Sequence, residues 1–115
     1  MSMKDWNKYR DEVNAGVKAL GALSPDTVKG YVQLSQANAR TGHFDAKMRE
    51  LISLAVSVTL RCDGCITVHT AAARKAGATR EEIAEALGIA ISVNAGAATV
   101  YTLRTLDAYA ALDEA

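Results

Sequence analysis

The sequence predicts an all-α protein of about six helices with a central helical hairpin that carries the Cys-x-x-Cys. Three observations carry the fold class. Apolar residues recur at steps of three and four, cap-forming residues stand where those runs begin, and a single proline occurs in 115 residues. Residues 5–20 place Trp6, Tyr9, Val13, Val17 and Leu20 on one helical face, and Gly21 is the expected end. Ser24-Pro25 supplies a cap and a first-turn residue for a second helix to about Ala39, with Val28, Tyr31, Val32 and Ser35 inward. Residues 40–44 form a linker. Asp45 caps a third helix, from about Ala46 to Leu60. There Met48, Leu51, Ile52, Ala55, Val56 and Thr59 point one way while Leu54 and Val58 lie nearly opposite. A helix apolar on most sides belongs at the centre. After a turn at 61–65, a fourth helix runs to about Ala76 and stops at Gly77. Thr79, with Glu82 three residues on, forms a capping box for a fifth helix through Ile83, Leu87, Ala90 and Ile91. Asn94-Ala95-Gly96 is expected to break it, and a sixth helix carries Val100, Leu103, Leu106 and Ala110.

One domain over residues 1–115 suits this length. Lysine plus arginine equals aspartate plus glutamate at 13 each, so no basic excess draws in nucleic acid. The start mixes charges with aromatics and has no secretory apolar core. The strongly apolar run 51–60 is too short to span a bilayer. A cytoplasmic protein without membrane contact is therefore expected. Abundant alanine allows close helix packing but buries little area per residue, so a modest core completed in an oligomer is anticipated.

Chemistry concentrates at Cys62-Asp63-Gly64-Cys65. In a cytosolic chain such a pair reads as redox-active or metal-binding. At a helix start, free N–H groups and the helix dipole favour a thiolate. Gly64 is expected to give the turn room to change geometry. His69 lies four residues past Cys65, on the same helical face, where it can take and return a thiol proton. Glu50, near the start of the central helix, is the candidate to orient His69. Rise arithmetic leaves a mismatch of about 5 Å between them, which long side chains or water could bridge. The plainer reading of Glu50 is a first-turn helix charge.

Other polar residues read first as structural. Asp63 most simply caps the fourth helix. Arg61 could depress the neighbouring thiol's pKa or be a solvated turn charge. His43 and Phe44 could line a pocket, as could Tyr31, Tyr101, Asn94 and Arg104. Zinc held by Cys62, Cys65, His69 and Glu50 is the competing reading. Placing Cys65 and His69 on one helix is not a common closed zinc spacing, so no metal is expected.

The stretch from Arg49-Glu50-Leu51 to Ala78-Thr79-Arg80-Glu81-Glu82 resembles the carboxymuconolactone decarboxylase-like superfamily, and within it the alkylhydroperoxidase AhpD-like branch. That branch carries a glutamate twelve residues before a Cys-x-x-Cys and a histidine four residues after it. Glu50, Cys62, Cys65 and His69 meet that pattern. The resemblance covers about residues 20–110 and is most specific over 48–88. It implies the AhpD-like helical fold, homo-oligomers such as trimers or hexamers, and a Cys62–Cys65 dithiol/disulfide that reduces peroxides or passes electrons to a peroxiredoxin. Its reductant would be an external dithiol such as a lipoyl-bearing protein, with no bound cofactor. Better-known AhpD proteins have a histidine where this chain has Gly64, and they are longer, which puts relay efficiency and lipoyl recognition in doubt.

The mechanism read from this set has Glu50 polarising His69, His69 favouring the Cys65 thiolate, and Cys62 closing the disulfide, with the order of attack open. Two rivals stand beside it. One is decarboxylation or isomerisation of a small organic acid, and the other is a helical binding or assembly module with inert thiols.

Overall fold

Five α-helices and a closing 3₁₀ turn make up the computed structural model, which describes residues 1–114; Ala115, the last residue of the expected domain, lies outside them. The helices are α1 (Trp6–Leu23), α2 (Pro25–Thr41), α3 (Ala46–Leu60), α4 (Asp63–Lys75) and α5 (Arg80–Ala111). No strand occurs among the described residues, so the all-α expectation holds.

Local chemistry accounts for most boundaries. The Asp5 and Asp45 carboxylates accept the Lys8 and Met48 N–H groups at 3.2 and 2.8 Å, which starts α1 and α3. Thr79 and Glu82 form a complete capping box, with bonds of 3.1 and 3.0 Å, at the start of α5. Gly42 and Gly77 take positive φ, 76° and 91°, where α2 and α4 give way to their linkers.

Two expected boundaries move. Gly21 does not end α1, which continues to Leu23. The glycine lies against Val28 of α2, so its small size serves the α1–α2 contact. The break at Asn94-Ala95-Gly96 is absent, and the expected fifth and sixth helices are one helix of 32 residues. Asn94 does not turn the chain. Its side-chain amide donates to the Ala90 carbonyl at 2.7 Å and to Thr59 Oγ1 of α3 at 2.9 Å. A mid-helix glycine costs only about 1 kcal/mol, and Gly96 lies among good helix formers.

α3 is central, packed between α4 and α5, while α1 packs on α2 and α4. Leu54 and Ser57 of α3, Thr67 and Ala73 of α4 and Ala90 of α5 are the buried residues. Of the inward set expected on α2, Val28 is half-buried, but Tyr31, Val32 and Ser35 are exposed.

The single chain is open. Its accessible surface is 9192 Å², whereas a folded monomer of its 12.2 kDa mass exposes about 6,100 Å². Its radius of gyration is 18.9 Å, against roughly 13 Å for a compact domain of this length. α5 is the main cause. Residues 86–103 carry no charge, and Ile89, Ile91, Val93, Val100, Leu103 and Leu106 are all more than half exposed. Joined into one element, this helix is long and apolar enough in composition to cross a membrane. The expectation of no span rested partly on dividing it.

Candidate active site

The turn between α3 and α4 builds the site. Arg61 enters the left-handed region at φ 53° and closes α3, its N–H donating to the Ser57 and Val58 carbonyls. Its side chain is an exposed turn charge. The next N–H, on Cys62, donates to the Ser57 carbonyl at 3.1 Å. Cys62 is extended, and its Sγ accepts the Cys65 N–H at 3.1 Å. Cys62, and not Asp63, therefore caps α4. A sulfur can do this because the cap position aims its side chain at the free N–H groups of the first turn. Asp63 is instead the first helical residue, and its carboxylate pairs with Lys4 at 2.7 Å.

Cys62 and Cys65 are joined by a disulfide, with Cα atoms 5.2 Å apart, well inside the range such a bond requires. Both residues are half-buried. Gly64, between them, does not take a positive φ. It leaves space for α1: a methyl group built there would lie 3.6 Å from the Val13 side chain. The position where better-known AhpD-like proteins carry an imidazole here faces a packed helix.

One turn beyond Cys65, His69 Nδ1 lies 2.7 Å from Glu50 Oε2 of α3. The two helices pack closely enough for direct contact, and the mismatch from rise arithmetic needs no bridging water. A carboxylate beside Nδ1 accepts a hydrogen bond from that N–H and leaves Nε2 as the ring atom that can exchange a proton. Both side chains are about one-quarter to one-third exposed, so the pair is shielded but reachable from solvent.

A cavity of about 400 Å³ opens on this pair where α2, the 42–45 linker and α3 meet. Glu50 and His69 line it, with Arg49 and His43 as basic neighbours and Phe44 and Ile52 as apolar ones. Neither cysteine is on its wall. His43 and Phe44, read first as structural, thus border a pocket in this structure. Tyr31 is exposed on α2. Asn94 ties α5 to α3, and Arg104 stacks on Tyr101, 4.9 Å from the ring centre, out on α5. These four do not line the cavity. Among the described residues, no three histidine, cysteine or acidic side chains converge to hold a metal ion. Lys4 and Arg49 were not singled out by the residue pattern. Lys4 is 59 residues from its partner Asp63, a separation without any local sequence signal.

Residues 25–108 match the model of the Carboxymuconolactone decarboxylase family. The chain belongs to that family. It is 46% identical over 105 residues to an uncharacterised protein of Haemophilus influenzae, covering 91% of this chain and 93% of the relative. It is 33% identical over 102 residues to an uncharacterised protein of Cupriavidus necator, covering 89% and 90%. A Paracoccus denitrificans protein described as uncharacterised protein 4 in the cox locus is 37% identical over 84 residues, 73% of each chain. Within the carboxymuconolactone decarboxylase family, a Cys-x-x-Cys pair closed as a disulfide in an all-α fold is consistent with a thiol–disulfide redox role.

Proposed function

We propose that this protein is an AhpD-like dithiol oxidoreductase that reduces hydroperoxides and is restored by an external dithiol. The carrying observation is the His69–Glu50 contact at 2.7 Å, one helical turn from the Cys62–Cys65 pair. In the reduced protein His69 takes the Cys65 proton. The thiolate attacks the distal peroxide oxygen, the O–O bond breaks, and His69 protonates the departing alkoxide. Cys65 is then a sulfenic acid. Cys62 attacks its sulfur, water leaves, and the disulfide closes. A dithiol reductant, such as a lipoyl-bearing protein, returns two electrons and two protons. A peroxiredoxin is the alternative electron partner. The N–H bond to Cys62 Sγ favours an anionic sulfur there, so thiol titration decides the order: a low pKa on Cys62 with an ordinary one on Cys65 reverses the two roles.

The unit that works in the cytoplasm is read as a homo-oligomer, a trimer or hexamer, without nucleic-acid or membrane partners. The chain's surface excess of about 3,000 Å² supports this, being of the size that obligate assemblies bury.

The test is peroxide consumption with a dithiol reductant in wild type, C62S, C65S and H69A. Each variant is expected to lose most of the rate, and an undiminished rate in all three would defeat the peroxidase reading. A second reading draws on the cavity, which meets Glu50 and His69 but neither sulfur. That arrangement suits acid–base decarboxylation or isomerisation of a small organic acid, with Arg49 as the nearby cation. Turnover of such an acid that survives the double C62S/C65S change would favour it.

A further inference from the structure

We propose that Lys4 is a positioning residue for the redox turn: its ammonium, held over Asp63, offsets the one acidic charge between the two cysteines and so favours the thiolate. The inference rests on the dithiol reading above and adds a residue from the far end of the chain to it.

The N-terminal segment is fixed over the turn at several points. Lys4 Nζ lies 2.7 Å from Asp63 Oδ2. The same ammonium stands 4.2 Å from the Tyr9 ring centre and 5.6 Å from that of Trp6, so two aromatic faces confine it. The Trp6 carbonyl accepts the hydroxyl of Thr67, a buried residue of α4, at 3.1 Å. Val13, two turns further along α1, fills the space beside Gly64. Lys4 is thus placed by a docked helix and is not a free surface charge. Its ammonium is held above the ordinary lysine range, chiefly by the hydrogen bond to Asp63 and against partial loss of hydration.

The electrostatic consequence follows from Asp63's position. A carboxylate next to Cys62, and two residues before Cys65, opposes ionisation of either thiol. A cation at 2.7 Å cancels most of that effect. The other charged groups about the turn are Arg61, before Cys62, and the Glu50–His69 pair; a change at Lys4 leaves all three in place. Tyr9 also faces Lys4, through its ring.

The experiment uses the reduced full-length protein, with the pKa of its more acidic thiol read from thiolate absorbance against pH. K4Q is expected to raise that value by about half a unit, which leaves roughly threefold less thiolate near neutrality and slows alkylation to match. K4R is expected to restore the wild-type value. D63N is expected to lower it. Once Asp63 is neutral, no carboxylate charge is left for Lys4 to offset, so K4Q/D63N should match D63N. An unchanged pKa in K4Q, in a protein whose disulfide still opens and closes, overturns the proposal and leaves the redox reading intact. A K4Q shift that persists in D63N also overturns it, because Lys4 would then act by docking α1. A wild-type protein whose disulfide fails to re-form after reduction removes both readings, and the mass difference of two hydrogens reports this directly.

Discussion

In the α3–α4 hairpin nearly every polar group has an assigned partner. Ser53 and Ser57 return their hydroxyls to the carbonyls four residues back, Cys62 caps its helix through sulfur, and Glu50 meets His69. In α5 the uncharged stretch 86–103 leaves Ala90 as its one buried residue, and apolar side chains emerge on all sides. The first region finds most of its polar partners within one chain, although Met48, Ile52, Val56 and Leu60 of α3 stay exposed. The second is incomplete, because a helix that is apolar all round is stable only when surrounded. Chemistry and stability are thereby separated: the hairpin holds the reactive groups, and α5 holds the surface that other copies of the chain are proposed to cover.

Three changes probe that separation, beginning with the largest effect. Glu50→Gln keeps the shape but weakens the proton relay. The peroxide rate is expected to fall about 100-fold, as loss of a positioned acid–base group generally does, with no change in particle mass. A rate within twofold of wild type would detach Glu50 from the chemistry. Leu103→Glu acts on the other region. In a lone chain this residue is 60% exposed, and such a change would cost at most about 0.5 kcal/mol. Against a covering partner it buries an unpaired charge, so light scattering is expected to show the assembly falling to smaller particles. An unchanged mass would mean that this face of α5 meets water in solution.

The smallest effect tests the junction between the regions. Thr79→Ala removes the hydroxyl that caps α5 and is expected to cost about 1 kcal/mol in denaturant unfolding. Glu82 adds a pH dependence here. Lys47, 2.7 Å away, holds its carboxyl below the ordinary value of 4.5, helped by the Thr79 N–H. A carboxyl depressed in the folded state contributes its full stabilisation above its unfolded value. That contribution fades as pH falls through the folded one. The melting temperature of wild type is therefore expected to drop more than that of Glu82→Gln as pH is lowered from 5 towards 3.

Much of the hairpin was legible because its signals are local. Asp45, Thr79 with Glu82, and the step of four from Cys65 to His69 each act within one or two turns, and Glu50, placed by helix rise alone, is strengthened by the resemblance to a known family. The failures have one physical source, contacts between distant segments. Gly21 reads as a helix end until Val28 packs on it. Asn94-Ala95-Gly96 reads as a break until Thr59, on another helix, takes up the Asn94 amide. Asp63 reads as a cap until Lys4 claims its carboxylate and the adjacent sulfur takes the N–H. The Arg49-bordered cavity has no pattern at all, since α2, a linker and α3 each supply a wall.

Glu50 and His69 sit on different helices, so under the proposed mechanism activity depends on how α3 and α4 align. A helix advances 1.5 Å per residue, so sliding α3 past α4 by a single residue would stretch the 2.7 Å Glu50–His69 contact to between about 3.1 and 4.2 Å, which weakens or breaks it. What prevents such slippage is the fully enclosed methyl of Ala73, together with Leu54, Ser57 and Thr67. In the proposed mechanism these buried side chains set the distance for proton transfer, and enlarging Ala73 is expected to slow turnover while most of the helix remains intact.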